Sequence, residues 1–344
     1  MSLPSRPLGP TNSLVIPVYK NEPNIPDLLE ALRDLHHDLN GDLEVVLVVD
    51  GSPDRSWPIL RDALRAEPYQ SQLLLLSRNF GSFAAIRRGL EVARGRSIAV
   101  MAADLQEPTS VVRTFFRLLQ DDEADVALGV RESRSDGLLT RLASNAFWMF
   151  YRRYVVKEMP AGGVDVFACT SRARDDLLLL GESNTSLVSQ VLWIGGRRVH
   201  VPYARQLRRK GRSAWTLAAK IRYMLDSVMA FSDLPIYLLL WLGLIGVAVS
   251  LSAGLVVFVA WIAGAITVPG YTPVMLLVSM IGSLTMLSQG IIGSYVWRAN
   301  ENTKHRPLSL VRSHEHFTPG RPATSRAECD IEVKPEPSGR VGVP

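Results

Sequence analysis

LEVVLVVDGSPD, residues 43–54, decides the fold. Six of its first eight residues are apolar, the run ends on the carboxylate of Asp50, and then the chain turns through Gly51, Ser52 and Pro53. An apolar run this short and unbroken suits a strand covered on both faces. Working outward, SLVIPVY (13–19) precedes it, and QLLLLS (72–77), SIAVMAA (97–103) and DVALGV (125–130) follow. Helical segments fit the gaps at 22–37, 54–66, 82–94 and 109–121, the third ending at Gly95. Strands alternating with helices imply an α/β domain with a mostly parallel sheet. Ligands of such sheets bind at the carboxyl ends of the strands. The polar residues that end these strands are Tyr19 and Glu22, Asp50, Arg78 and Asn79, and Asp104. Asp50 also suits an Asx-capped turn and Asp104 a helix cap, so each alone is a weak signal. The phosphate loops GxGxxG and GxxxxGK[ST] are missing, which disfavours dinucleotide-binding and P-loop enzymes.

The rest of the chain differs in composition. Of 344 residues 47% are hydrophobic, and the net charge is +5. From Leu234 to Trp297 there is no Asp, Glu, Lys, Arg or His. A helix needs roughly 20 apolar residues to cross a bilayer. Two spans are expected, at 235–266 and 273–297, with a short uncharged loop between them. Basic residues flank this block at 205–222 and 298–312, so both ends are expected in the cytoplasm. Residues 213–233 read as an amphipathic helix in the membrane interface. Small residues in both spans (Gly243, Gly246, Gly282, Gly290, Gly293) suit close helix packing and a homo-oligomer. The basic clusters favour anionic lipid or phosphorylated partners, and no nucleic acid is expected. Two distant cysteines give no disulfide framework, and no signal peptide is evident at the start. Residues 1–12 read as a loose tail, and the polar chain from about 315 as disordered. After the sheet a helix is expected over 138–157. Asp165 follows Gly162 and Gly163 inside an apolar strand, where a carboxylate needs a partner.

Taken in order, several motifs resemble one family. They are Pro17-Val18-Tyr19 with Asn21-Glu22, Asp50-Gly51-Ser52-Pro53-Asp54, and Arg78-Asn79-Phe80-Gly81. Asp104-Leu105-Gln106-Glu107-Pro108, the basic stretch from Arg205 to Trp215, the hydrophobic hairpin and Arg306-Pro307-Leu308 complete the set. Over about residues 12–312 the chain resembles family-2 glycosyltransferases that load a sugar onto polyprenyl phosphate, the dolichyl-phosphate mannose synthase and undecaprenyl-phosphate glucosyltransferase group. The resemblance implies a GT-A type domain over 13–212, the hairpin over 234–298 and a cytoplasmic tail over 299–344. It implies an inverting, membrane-anchored hexosyltransferase with its catalytic domain on the cytoplasmic side of the plasma membrane. The donor would be a nucleotide sugar, UDP favoured, and the assembly a tetramer.

Site roles follow from the same resemblance. Pro17, Tyr19, Glu22 and Asp50 would hold base and ribose, with Asn79, Gly81 and Ala103 beside the donor. Asp104 and Gln106 would bind Mg2+ or Mn2+. Arg205, Arg208, Lys210 and Ser213 would meet the diphosphate or the lipid phosphate, and Arg131 and Arg134 lie on a loop that also faces phosphate. Asp165 would sit near the reacting centre and orient the sugar, because a phosphate acceptor is already largely dianionic at neutral pH. The chain departs from the family at Ala102, where an Asp-x-Asp loop is usual. Asp104 would then be the one certain carboxylate, with Gln106 and Glu107 as helpers. Either metal affinity is lower and the donor completes the shell, or the lost residue served the ribose. An inactive transferase-fold adaptor or nucleotide-sugar sensor is the alternative from another class. A processive polysaccharide synthase is disfavoured, since Gln190-Val191-Leu192-Trp193 does not match the Gln-x-x-Arg-Trp motif.

Overall fold

The computed structural model describes residues 10–131, 149, 151–153, 156–160, 163–182, 185–206, 217–232, 234–263, 271–320 and 324–326. The strands are β1 (Asn12–Val18), β2 (Glu44–Val49), β3 (Gln70–Leu76), β4 (Ser97–Val100), β5 (Val126–Arg131), β6 (Val166–Thr170), β7 (Arg198–Tyr203), β8 (Val311–Phe317) and β9 (Thr324–Arg326). They form one nine-stranded sheet in the order β7-β5-β6-β4-β1-β2-β3-β8-β9. Its centre, β3-β2-β1-β4, is parallel throughout. Only β6 and β8 run against the rest. The α/β sheet of mostly parallel strands is therefore as the sequence implied.

Among the described residues the helices of this domain include α1 (Ile25–Asp38), α2 (Ser56–Ala63), α3 (Ser82–Val92), α4 (Thr109–Gln120), α5 (Ser171–Leu179) and α6 (Leu187–Trp193). In α1 the apolar positions Ile25, Leu28, Leu29, Leu32 and Leu35 recur at helical spacing and are all buried. They join Phe115 and Phe116 of α4 in a core on one face of the sheet. Ala85, Ile86 and Leu90 of α3, with Leu177 and Val191, build the core on the other face. Every residue of β2 is buried, because both faces are covered. Each such fully buried aliphatic side chain contributes about 1.5–3 kcal/mol. At Gly89 a β-carbon would stand 2.3 Å from Val15 Cγ1, so the missing side chain lets α3 lie close on β1.

Two features go beyond the sequence reading or differ from it. DVALGV (β5) does not neighbour β4, because β6 inserts between them, antiparallel to both. Asp165 stands just before β6 rather than inside a strand. Second, the polar chain near 315 is not a structureless tail. β8 pairs antiparallel with β3, and β9 with β8. Its polar residues have partners there. Glu315 is buried and meets Arg61 at 2.8 Å. The His314 ring nitrogen Nε2 lies 2.8 Å from Gln72 Oε1. Arg88 donates to the Ser309 carbonyl at 3.0 Å. The segment after the hydrophobic block thus returns to extend the sheet beyond β3.

Beyond the sheet lie α7 (Leu217–Phe231), α8 (Leu234–Ile262) and α9 (Tyr271–Thr303). Some side chains of α7–α9 lie outside the description, and no described run within one helix is long and apolar enough to cross a membrane. Met224–Phe231 and Leu234–Gly246 meet that test only together, as a pair bent by 84°. Ser232 Oγ accepts from the backbone N of Leu234, the first residue of α8, at 3.0 Å. Arg298 near the end of α9 donates to Asp226 of α7 at 2.7 Å. The expected helix over 138–157 falls mostly outside the described residues.

Candidate active site

The central strands end side by side, and their loops interlock. Asp50 follows β2 and is 2% exposed. Its Oδ1 accepts from Phe80 N and its Oδ2 from Gly81 N, each at 2.8 Å. Burial raises its pKa, and the two backbone donors oppose that. Asp50 therefore clamps the 78–81 loop, and the sequence reading of it as a base and ribose ligand missed this tie. Gly51 sits at φ +55, and a β-carbon there would stand 2.2 Å from the Arg78 carbonyl carbon. Gly81, at φ +98, opens α3 in a backbone conformation that suits glycine. Asn79 Nδ2 donates to the Asp50 carbonyl at 3.4 Å and is otherwise exposed.

The β1 loop is joined to the same turn. Lys20 N donates to Ser52 Oγ at 2.8 Å, and Glu22 N to Asp54 Oδ2 at 3.1 Å. In return Glu22 Oε2 accepts from Arg55 N at 2.9 Å. Burial pushes the Asp54 carboxyl up, but hydrogen bonds from Ser52, Ser56 and Glu22 N outweigh it, and its pKa ends below the usual range. Pro17 and Tyr19 are half-buried, with Lys20 Nζ 5.4 Å from the Tyr19 ring centroid. An open depression of about 760 Å³ lies on the outer flank of these loops, lined by Lys20, Glu22, Pro23, Pro26, Pro53, Asp54 and Ile59. It does not reach Asp104.

At the end of β4 the chain turns sharply. Ala102 is half-buried, and the Ala103 side chain is buried in the core, so only the Ala103 backbone is available to a donor. Asp104 is partly exposed, and its Oδ1 accepts from Gln106 N at 3.3 Å. Leu105 adopts φ 54, left-handed backbone that costs a non-glycine residue about 1–2 kcal/mol. The loop is tied to the segment after β7. Arg205 Nη2 donates to Gln106 Oε1. Gln206 N donates to the Gln106 carbonyl at 2.9 Å. The oxygen that Gln106 would offer a cation is thus held by a guanidinium.

Glu107 is the residue the sequence reading undervalued. It is 3% exposed, and its Oε2 has no hydrogen-bond partner. Burial, then the nearby Asp104 and Asp165, push its carboxyl up to about 7 against the opposing pull of Arg205. Its place next to Gln106 was the one available signal. Asp165 completes the cluster. Arg131 grips it with two nitrogens, the Nη2 contact at 2.6 Å, and Tyr203 OH donates to it at 2.8 Å. The carboxylate that needed a partner has two. Burial lowers the Arg131 pKa, but the hydrogen bond and charge of Asp165 outweigh it and leave it raised. Tyr203 is pushed up by burial, then by Asp165 and Glu107.

The structure therefore brings together Asp104, Gln106, Glu107, Asp165, Arg131 and Arg205 from the sequence reading, and adds Tyr203 and Gln206. Arg134, Arg208, Lys210 and Ser213 lie outside the described residues. Among the described residues, no group of three or more His, Cys, Asp or Glu could enclose a metal. The donor chemistry instead fits a hard divalent ion shared with phosphate oxygens. Asp104 is a carboxylate at the strand end, and the Glu107 oxygen is buried and unpaired.

Comparison with known proteins accords with this geometry. The chain is 30% identical over 300 residues to the putative glycosyltransferase CsbB of Bacillus subtilis (strain 168), covering 87% of this chain and 91% of that protein. It is 26% identical over 304 residues to a bactoprenol glucosyl transferase of Shigella phage SfV, covering 88% and 98%. The crystal structure of S. aureus TarS 1–349 in complex with UDP-GlcNAc superimposes with a TM-score of 0.44 at 15% identity, covering 65% and 67%, too loosely to place a ligand by. Residues 13–178 match the model of glycosyl transferase family 2, a stretch running from β1 through α5 that carries the loops after β1 to β4 and Asp165. A strand-end carboxylate cluster with this match and this near-full-length likeness makes the chain a glycosyltransferase, a member of glycosyl transferase family 2.

Proposed function

We propose that this glycosyltransferase moves a hexose from a nucleotide donor, UDP-hexose by preference, to polyprenyl phosphate at a membrane, with inversion at the anomeric carbon. The supporting observation is where the site lies in the chain. Arg205 and Gln206 hold the Asp104 loop, and α7 and the charge-free α8 are the next elements after them in the sequence. A phosphate carried on a lipid would reach the sheet edge from that side. The likeness to a bactoprenol glucosyl transferase along almost its whole length supports the same acceptor.

In this reading Tyr19 and the β1 and β2 loops border the nucleoside. The Asp50 clamp sets the 78–81 loop beside it. The donor's diphosphate lies over Asp104. A Mg2+ or Mn2+ ion there would neutralise charge on the leaving nucleoside diphosphate. Asp104 would hold it, and Gln106 would assist only after releasing Arg205. Arg205, with Arg208, Lys210 and Ser213, meets the lipid phosphate. That phosphate is its own nucleophile and needs no strong base. Asp165, fixed by Arg131 and Tyr203, fits a carboxylate that orients the sugar.

The membrane arrangement belongs to the same proposal. α7 lies in the interface on the cytoplasmic side, and the chain bends by 84° into α8. α8 and α9 form a hairpin through the plasma membrane, with the catalytic domain cytoplasmic and the subunits packed as a homo-oligomer. The Arg298–Asp226 contact supports this, since it sets the end of α9 at the level of α7. The test is a donor screen against polyprenyl phosphate in detergent, with and without divalent metal. Formation of a lipid-linked monosaccharide from one sugar nucleotide supports the reading, and long polymer or no product from any donor refutes it.

A further inference from the structure

We propose that Glu107 supplies the second carboxylate of the divalent-cation site with Asp104, in place of the one that Ala102 lacks. The inference rests on the proposed nucleotide-sugar reading and deepens it. Family resemblance puts the usual pair two residues apart on one loop. Here the first position is an alanine, which offers no donor atom. A hard cation held by Asp104 alone would depend almost wholly on its diphosphate and water.

The loop supplies another carboxylate by folding back. Leu105 takes left-handed backbone directly after Asp104, and Glu107, two residues on, is buried within electrostatic reach of Asp104 and Asp165. Strain of this kind at a strand end persists only where the surroundings hold it. The Glu107 Oε2 is enclosed, yet no donor reaches it. A buried, unpartnered carboxylate oxygen is costly unless something positive arrives. Arg205, the nearby cation, already donates to Gln106. Arg131 is spent on Asp165. The cluster of Asp104, Glu107 and Asp165 therefore holds three carboxyl groups against two guanidinium groups. A divalent ion between Asp104 and Glu107 offsets the excess and fills the orphaned oxygen. The same ion explains why Gln106 is free to brace Arg205.

The test reads metal binding, not turnover. Mn2+ is titrated into purified full-length protein in detergent with saturating UDP, then GDP, and free Mn2+ is followed by electron paramagnetic resonance. The wild type is expected to bind Mn2+. Glu107→Gln is expected to weaken binding by about 10-fold or more, since even outer partners of metal ligands cost that much. Adding Ala102→Asp to Glu107→Gln is expected to restore it. Should the Gln variant fail to fold, Glu107→Asp withdraws the carboxylate by one carbon and is expected to weaken Mn2+ binding too. Unchanged Mn2+ affinity in these variants overturns the assignment, as does a wild type that binds none. A Gln variant that weakens only the sugar nucleotide relative to the free nucleotide also overturns it, because Glu107 would then serve a sugar hydroxyl. Nucleotide affinity measured without metal separates the two claims. If neither UDP nor GDP binds, the functional reading falls as well. If one binds and Glu107→Gln leaves Mn2+ untouched, only the Glu107 assignment falls.

Discussion

Asp50→Asn should destabilise the catalytic domain and weaken nucleotide binding together. Asparagine matches the shape of the aspartate but keeps only one acceptor. One of the two backbone donors, Phe80 N or Gly81 N, now 2.8 Å from a carboxylate oxygen, would face an amide NH2. Losing a hydrogen bond to a charged group costs roughly 1.5–3 kcal/mol, and leaving a buried N–H unpaired costs about 1–3 kcal/mol more. Part of this returns because a neutral side chain is cheaper to bury, in line with the raised pKa of Asp50. The net loss comes to about 3 kcal/mol. For a domain of this size 1 kcal/mol moves the melting temperature by about 2–4 °C, so a fall of roughly 6–12 °C is expected. Thermal unfolding and UDP affinity are measured on the same preparation. The 78–81 loop depends on Asp50, so both should fall. A melting temperature that holds while UDP binding drops would refute the clamp and make Asp50 a direct ligand contact.

Other outcomes follow from the same structure. Gly51→Ala places a methyl 2.2 Å from the Arg78 backbone at a positive φ, and should lower the melting temperature at least as far as Asp50→Asn. Truncation after residue 306 removes β8 and β9, and should unfold or aggregate the catalytic domain through the bared edge of β3, seen as a lower melting temperature or loss of monodisperse protein. Arg61→Ala strands the buried Glu315, and should cost about 1–3 kcal/mol by thermal unfolding, with Glu315→Gln in the same background recovering part of it. The Asp54 pKa is lowered in the fold, so its stabilising share is present above the ordinary carboxylate pKa and lost as pH falls through its folded value. Ser52→Ala should therefore flatten the drop in melting temperature below about pH 4, and an unchanged acid limb would speak against that network.

How much the sequence disclosed depends on how each residue is satisfied. β1 to β4 were legible because strands buried on both faces must be apolar, and their polar ends then stand out. The same logic picked Asp104, whereas Asp165 stood out as a carboxylate in an apolar stretch and Arg205 came from the family resemblance. β8 was illegible because VRSHEHF is polar, and its buried Glu315 and inward His314 are paired with Arg61 and Gln72, more than two hundred residues away. The place of β6 was hidden for a related reason, since pairing order leaves no trace in hydrophobic pattern. Asp50 and Gln106 were identified as residues that matter, yet sequence cannot say which atom meets which. One proved to hold a loop by its backbone, and the other to hold an arginine. Glu107 was placed only as a helper beside Gln106, because a glutamate before a proline at a helix start reads as surface chemistry, and only its burial sets it apart.

The central claim is sugar transfer to a lipid phosphate. The most direct measurement incubates the purified full-length protein in detergent with polyprenyl phosphate, Mg2+ or Mn2+, and a sugar-labelled UDP-hexose, and follows label into the organic phase. The account predicts a lipid-linked monosaccharide that depends on divalent metal and is lost in Asp104→Ala. No transfer from any sugar nucleotide, or full metal-dependent transfer by Asp104→Ala, would contradict it.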